Sequence, residues 1–110
     1  MIGSDGIDSP TTFSLGEAAE GLVFSTAGHA TAGSALEGFN KKFAAKYGKE
    51  TDTIFSAIGY DLMKVIEAGV LAADSVEPQA IRDAVANLEN VEGVTSMITY
   101  KGTTGMPVRQ

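Results

Sequence analysis

Between positions 55 and 74 apolar residues fall at Ile58, Leu62, Val65, Ile66, Gly69, Val70 and Ala73, the three-and-four spacing of one face of a helix. A second stripe, Leu36, Phe39, Phe43, Ala44 and Tyr47, predicts another helix, with Ser34 as its cap and Gly48 as its stop. Pro78 stands where a first-turn proline belongs, and Ile81, Ala84, Val85 and Leu88 give a short helix after it. Nearer the start, residues 1–7 read as a strand end passing into a Gly-rich turn. Pro10 then sits in the first turn of a weak helix that starts at Asp8 or Ser9 and runs to about Glu20, interrupted by Gly16. Gly21 ends it, residues 22–25 have strand length and character, and residues 26–34 form a loop of small and polar residues. Toward the end the pattern changes to alternation. Val94, Ser96, Ile98 and Tyr100 share one face and Thr95, Met97 and Thr99 the other, which predicts a strand over 94–100, a turn at 101–105 and a partner strand beginning within 106–108.

Composition narrows the picture. At 110 residues and 44% apolar, the chain is long enough for one small domain with a modest core, and disorder is not expected. A net charge of -6 argues against nucleic acid, whose phosphates demand clustered Lys and Arg. Lys41, Lys42, Lys46 and Lys49 do cluster, but Glu37 and Glu50 are mixed with them, the mark of a solvated helix face. Without cysteine there is no disulfide or thiol chemistry, which leaves both exported and cytosolic settings open. No run approaches the roughly 20 apolar residues of a membrane span, and the N-terminus lacks the regions of a signal peptide. Internal repeats and low-complexity tracts are absent.

The inventory for catalysis is thin. His29 is the only histidine and lies in the small-residue loop with no acid or nucleophile predicted beside it, so an exposed loop residue is the expectation. The same shortage of convergent donors argues against a metal site. Asp5 and Asp8 are three apart in a turn, a spacing that suits a cation or a helix cap, with capping by Asp8 the simpler reading. Gly3 and Gly6 frame Ser4 and Asp5, yet there is neither a GxGxxG pattern nor a following Lys-Ser or Lys-Thr, and an acidic tip repels phosphate. Asp5 is better suited to accepting hydrogen bonds from a ligand ammonium, a charge-assisted contact that is strong when water is excluded. A structural turn role is the alternative.

Six blocks in order carry a resemblance: IGSDG at 2–6, EAAEGLVFST at 17–26, FNKKFAAKYGKETD at 39–52, AIGYDLMKVIEAGVLAADS at 57–75, EPQAIRDAVANL at 77–88 and EGVTSMITYKGTTG at 92–105. In this order and spacing the chain resembles the C-terminal third of the type I solute-binding proteins of ABC transporters, in particular the branched-chain amino-acid binders. The resemblance implies an α/β chain, a fragment of the type I periplasmic-binding-protein fold with its two Rossmann-like lobes, helix-rich with a few short strands. It places residues 1–26 at the end of the second lobe, 27–95 in a returning segment of the first, and 96–110 in a crossover back to the second. It implies that Asp5 holds the ligand's α-amino group, although the family residue there is often Glu, and that Phe55 packs on the ligand side chain, with a helix-entry core role as the alternative. Gly6, Tyr60 and Asp61 would support the cleft, and Phe39, Phe43 and Tyr47 would form a core stripe.

On the same footing the expected role is capture of an amino acid or similar small solute for uptake, without cofactor, metal or catalysis. The expected partners are that ligand and, through a longer parent, an ABC permease in the membrane. The location would be periplasmic or extracellular, with an export signal upstream and a lipid anchor as one means of attachment. A ligand-sensing domain of a receptor or regulator with the same fold is the alternative. Two further rivals are an enzyme built on Asp5 and Asp61, which needs both carboxylates in one pocket, and a plain helical interaction module. Incomplete sheets leave unpaired edges, so a fragment of this kind is expected to oligomerise or exchange segments. It would hold one jaw of a two-jaw clamp and bind free amino acid weakly or not at all.

Overall fold

The computed structural model describes residues 2–110; Met1, the first residue of the expected opening strand, lies outside the described residues. Helices dominate. Their order is β1 (Ile2–Gly3), α1 (Pro10–Phe13), β2 (Val23–Phe24), α2 (Ala35–Tyr47), α3 (Phe55–Ala73), α4 (Pro78–Val85), β3 (Val91–Glu92), β4 (Met97–Thr99) and β5 (Val108–Arg109), with 3-10 turns at Asp5–Ile7 and Gly16–Ala19. Contacts divide the chain into two compact units, Met1–Ala57 and Ile58–Gln110, the division falling in the first turn of α3.

In the first unit β1 and β2 pair in parallel, Ile2 with Val23 and Gly3 with Phe24. The chain leaves β1 through the turn that carries Asp5. The Ser9 hydroxyl caps α1 by accepting from the Thr12 amide at 3.4 Å, and Pro10 follows at the first helical position. The predicted helix to Glu20 breaks where Gly16 takes φ 57°, a left-handed conformation that glycine adopts at little cost. Asp8 does not cap. Its carboxylate accepts from the Thr26 hydroxyl at 2.5 Å and so ties the loop after β2 to the start of α1.

The signals for α2 are realised as read. Ser34 accepts from the Glu37 amide at 3.2 Å, Glu37 reaches back to the Gly33 amide at 2.9 Å, and Gly48 ends the helix at φ 69°. Its aromatic stripe is less of a core than expected. Leu36 is buried, Phe39 and Phe43 are half-buried, and Tyr47 is exposed, its ring centroid 4.6 Å from that of Phe43 at a tilt of 46° and under the Lys46 ammonium.

In the second unit Val65 and Ile98 are buried. Helices α3 and α4 approach closely at Gly69, where a β-carbon would lie 2.4 Å from Val85 Cγ2. Asp74, at φ 47°, turns the chain out of α3. The last three strands form an antiparallel sheet in the order β3-β4-β5, with Val91 opposite Ile98 and Thr99 opposite Val108.

The continuous strand predicted over 94–100 is not formed; only Met97–Thr99 is extended, and residues 93–96 are the turn joining β3 to β4. The amides of Val94 and Thr95 are taken by the Asp61 carboxylate instead of a neighbouring strand, which removes them from any ladder. The fourth helix likewise ends at Val85 and not at Leu88, whose carbonyl accepts the amides of Tyr100 and Lys101. The final strand is Val108–Arg109, beginning at the last of the positions 106–108 expected for its start.

Candidate ligand-binding site

Asp5 occupies the first position of the 3-10 turn that follows β1. A parallel strand running into a tight turn leaves its next side chains at the strand's carboxyl end, where open α/β sheets place their ligands. Asp5 is half-buried, and its carboxylate takes no hydrogen bond or ion pair among the described residues, while its backbone carbonyl accepts from the Asp8 amide at 3.0 Å. Gly6 beside it is exposed, and a β-carbon there would meet only Ser4 Oγ, at 3.7 Å. The turn therefore presents an acceptor with both oxygens available and little bulk around it.

Phe55 opens α3. Its amide donates to Thr53 Oγ1 at 3.2 Å, an N-terminal cap that fixes where the helix starts, and its side chain is 48% exposed. In the same unit Asp8, Phe13, Thr26, His29, Leu36 and Asp52 are among the residues lining an open cavity of about 620 Å³. Its lining includes neither Asp5 nor Phe55. His29 is exposed at its edge.

Tyr60 and Asp61 part company. Tyr60 is exposed in part, whereas Asp61 is only 2% exposed and is the centre of a polar network in the second unit. One carboxylate oxygen accepts from the Val94 amide at 2.5 Å and the other from the Thr95 amide at 3.0 Å and from the Thr95 hydroxyl. The Arg109 guanidinium lies 4.0 Å from the same oxygen, donates to Thr95 Oγ1 and reaches Ser96 Oγ at 2.9 Å. Thus both Asp61 oxygens are hydrogen-bonded to protein donors, the condition under which a buried carboxylate is tolerated. Thr95 and Arg109 went unrecognised in the sequence because both lie far along the chain from Asp61, and single polar residues in a strand-like stretch carry no local signal.

Among the described residues no three His, Asp or Glu side chains converge as metal ligands, and no helix is long and apolar enough to cross a membrane.

A family model described as periplasmic binding protein matches residues 1–110, the full length of the chain. Among solved structures, a leucine-binding protein from Thermotoga maritima MSB8 is 29% identical and superposes with a TM-score of 0.81 over 98% of this chain and 31% of its own. A putative branched-chain amino acid ABC transporter protein from Rhodospirillum rubrum is 28% identical, with a TM-score of 0.75 over 99% of this chain and 32% of its own. This chain therefore spans about a third of the length of those two. No curated protein matches it.

Proposed function

Because the chain belongs to the periplasmic binding protein family, we propose that it forms the C-terminal part of a two-lobed solute-binding protein that captures an amino acid, branched-chain in type, for uptake through an ABC permease. The observation that carries the choice of ligand is the likeness, over almost all of this chain, to a leucine-binding protein and to a branched-chain amino acid transporter protein. In this reading the protein works in the periplasm or outside the cytoplasmic membrane. It makes and breaks no bond.

The chemistry follows from the two residues that remain available. The Asp5 carboxylate, without a partner among the described residues, accepts hydrogen bonds from the ligand's ammonium as water is excluded. The half-exposed Phe55 ring offers the apolar surface that an aliphatic side chain buries against. The ligand carboxylate is gripped by groups elsewhere in the longer protein, and closure of the two lobes about the crossing segments completes the clamp. Residues 1–26, 27–95 and 96–110 divide between the lobes as read from the sequence, with the last segment crossing back.

Calorimetric titration of the longer protein against a panel of amino acids, alongside Asp5→Ala, tests this. A hydrogen bond to a charged group contributes about 1.5–3 kcal/mol, so Asp5→Ala should weaken binding of one aliphatic amino-acid class by about 10- to 150-fold. Unchanged affinity would remove Asp5 from the site. No binding across the panel would overturn the amino-acid reading itself.

A further inference from the structure

The attachment of the C-terminal ribbon to α3 is not made by apolar packing alone. Of the residues in β4 and β5 only Ile98 is buried, while Met97 and Val108 are exposed. Between helix and ribbon lies a cavity of about 120 Å³ lined by residues that include Leu62, Val65, Ile98, Tyr100 and Pro107, so the apolar seam there is incompletely filled. What closes it at one end is the polar network already described. It joins three separate segments: Asp61 from α3, Val94 and Thr95 from the β3-β4 turn, and Arg109 from β5. Arg109 bonds the turn through Thr95 and Ser96, and the neighbouring Gln110 exchanges both backbone hydrogen bonds with Met97, at 2.8 and 3.0 Å. Pulling the turn away from α3 would strip a buried carboxylate of its donors, and Arg109 passes that anchoring on to β5 through Thr95 and Ser96.

We propose that Asp61, Thr95 and Arg109 form a clasp that makes the β4-β5 ribbon move with α3 as one body, and that Asp61 is thereby a positioning residue for the segment along which the two lobes close. The second half of this rests on the solute-binding reading above. Asp61 touches no ligand; it sets where the crossing segment is rooted, so its loss alters how firmly a closed state is held and leaves the number of sites unchanged.

Amide hydrogen exchange on the chain, comparing the wild type with Asp61→Asn and Arg109→Met, decides the clasp. Losing hydrogen bonds to a charged group predicts acceleration of about tenfold or more. In Asp61→Asn this should appear at Val94 and Thr95 and extend to Met97, Thr99 and Gln110, while α4 stays within about twofold. Arg109→Met keeps the Asp61 bonds to the turn and should accelerate Met97 and Gln110 while Val94 and Thr95 stay protected. Acceleration confined to Val94 and Thr95 in Asp61→Asn, or spread equally through α4, would overturn the clasp, and if that variant does not fold, unchanged exchange in Arg109→Met does the same.

The role in closure is read from stopped-flow release of leucine by the longer protein. Faster release from Asp61→Asn, by about fivefold or more at unchanged stoichiometry, supports it; equal release, or a fall in stoichiometry alone, overturns it. A wild-type protein that does not bind leucine would count against the branched-chain reading, and the exchange data would still decide the clasp.

Discussion

Gly93→Ala isolates the contact between the β3-β4 turn and Asp61. Gly93 does not have a positive φ, so alanine brings no backbone strain there; beside the added methyl group only the reduced freedom of the unfolded chain enters, which favours alanine by about 0.4–1 kcal/mol and is the same with or without the Asp61 carboxylate. That β-carbon would lie 2.6 Å from Asp61 Cγ and 2.7 Å from each carboxylate oxygen, where ordinary contact begins near 3.4 Å. One partner must therefore retreat by about 0.8 Å to bring Asp61 Cγ to ordinary contact. Asp61 cannot do so freely. Its bond from the Thr95 amide, already 3.0 Å, would pass the range of a real hydrogen bond. Losing one bond to a buried carboxylate costs about 1.5–3 kcal/mol, and overpacking without loss of the bond costs about 1–3 kcal/mol. The two are alternative ways of relieving one clash and do not add.

The expected destabilisation is thus about 2 kcal/mol. The assay is urea unfolding followed by far-UV circular dichroism and tyrosine fluorescence, the chain having three tyrosines and no tryptophan, and read as a shift in midpoint at unchanged slope. Asp61→Ala supplies the control, since without the carboxylate the new methyl group has room. In that background Gly93→Ala should cost less than about 0.5 kcal/mol, giving a coupling of about 1.5 kcal/mol. A Gly93→Ala protein as stable as the wild type, or one equally destabilised with and without the Asp61 carboxylate, would refute this account of the turn.

Gly69→Ala should destabilise the α3-α4 crossing by about 1–3 kcal/mol from the 2.4 Å approach to Val85 Cγ2, partly offset by about 1 kcal/mol of helix propensity; Val85→Ala in the same chain should recover most of the loss in the same unfolding assay. The Glu37 carboxyl is held below its ordinary value, first by its hydrogen bond from Lys41 at 2.8 Å, then by the Gly33 amide and the Lys41 charge. A depressed folded-state value means that its contribution to the α2 N-terminus is present above the ordinary carboxylate range and is lost as pH falls below it. Lys41→Ala should move the Glu37 titration upward in carbon-detected NMR, and a titration that does not move would refute the assignment.

The parts of the fold that sequence made legible are those decided by short-range chemistry. Ser34, Glu37 and Gly48 act within one turn of the helix ends they specify, and Ser9 with Pro10 does the same for α1, so their signals survive without knowledge of the rest of the molecule. The α3 stripe is legible only in part: Val65 and Gly69 lie on the buried face, which Asp61 shares, whereas Leu62 and Ile66 of the same stripe are exposed. The errors lie where a distant partner decides. Residues 94–100 alternate as a strand should, but Asp61, more than thirty positions earlier, captures the amides that a strand would have used, at a sequence separation of 33 for Val94 and 34 for Thr95. Asp8 has the composition of a cap and was displaced from that role by Thr26, 18 residues away.

The same reasoning bears on the two acidic residues that sit in family-like blocks. The resemblance gives Asp5 the ligand's ammonium and makes Asp61 a support of the cleft. Partner accounting distinguishes them: the donors on Asp61 are two amides and a hydroxyl of its own chain, with a guanidinium nearby, so a ligand there would meet a buried carboxylate whose oxygens are both hydrogen-bonded already. Asp5 has no such partner among the described residues, and an acceptor left open beside a small residue gains rather than exchanges hydrogen bonds when an ammonium arrives. Binding is therefore expected to weaken by about 10- to 150-fold in Asp5→Ala, where a direct contact is lost, and by about fivefold in Asp61→Asn, where only release quickens, a difference in size that titration of the two variants reads directly.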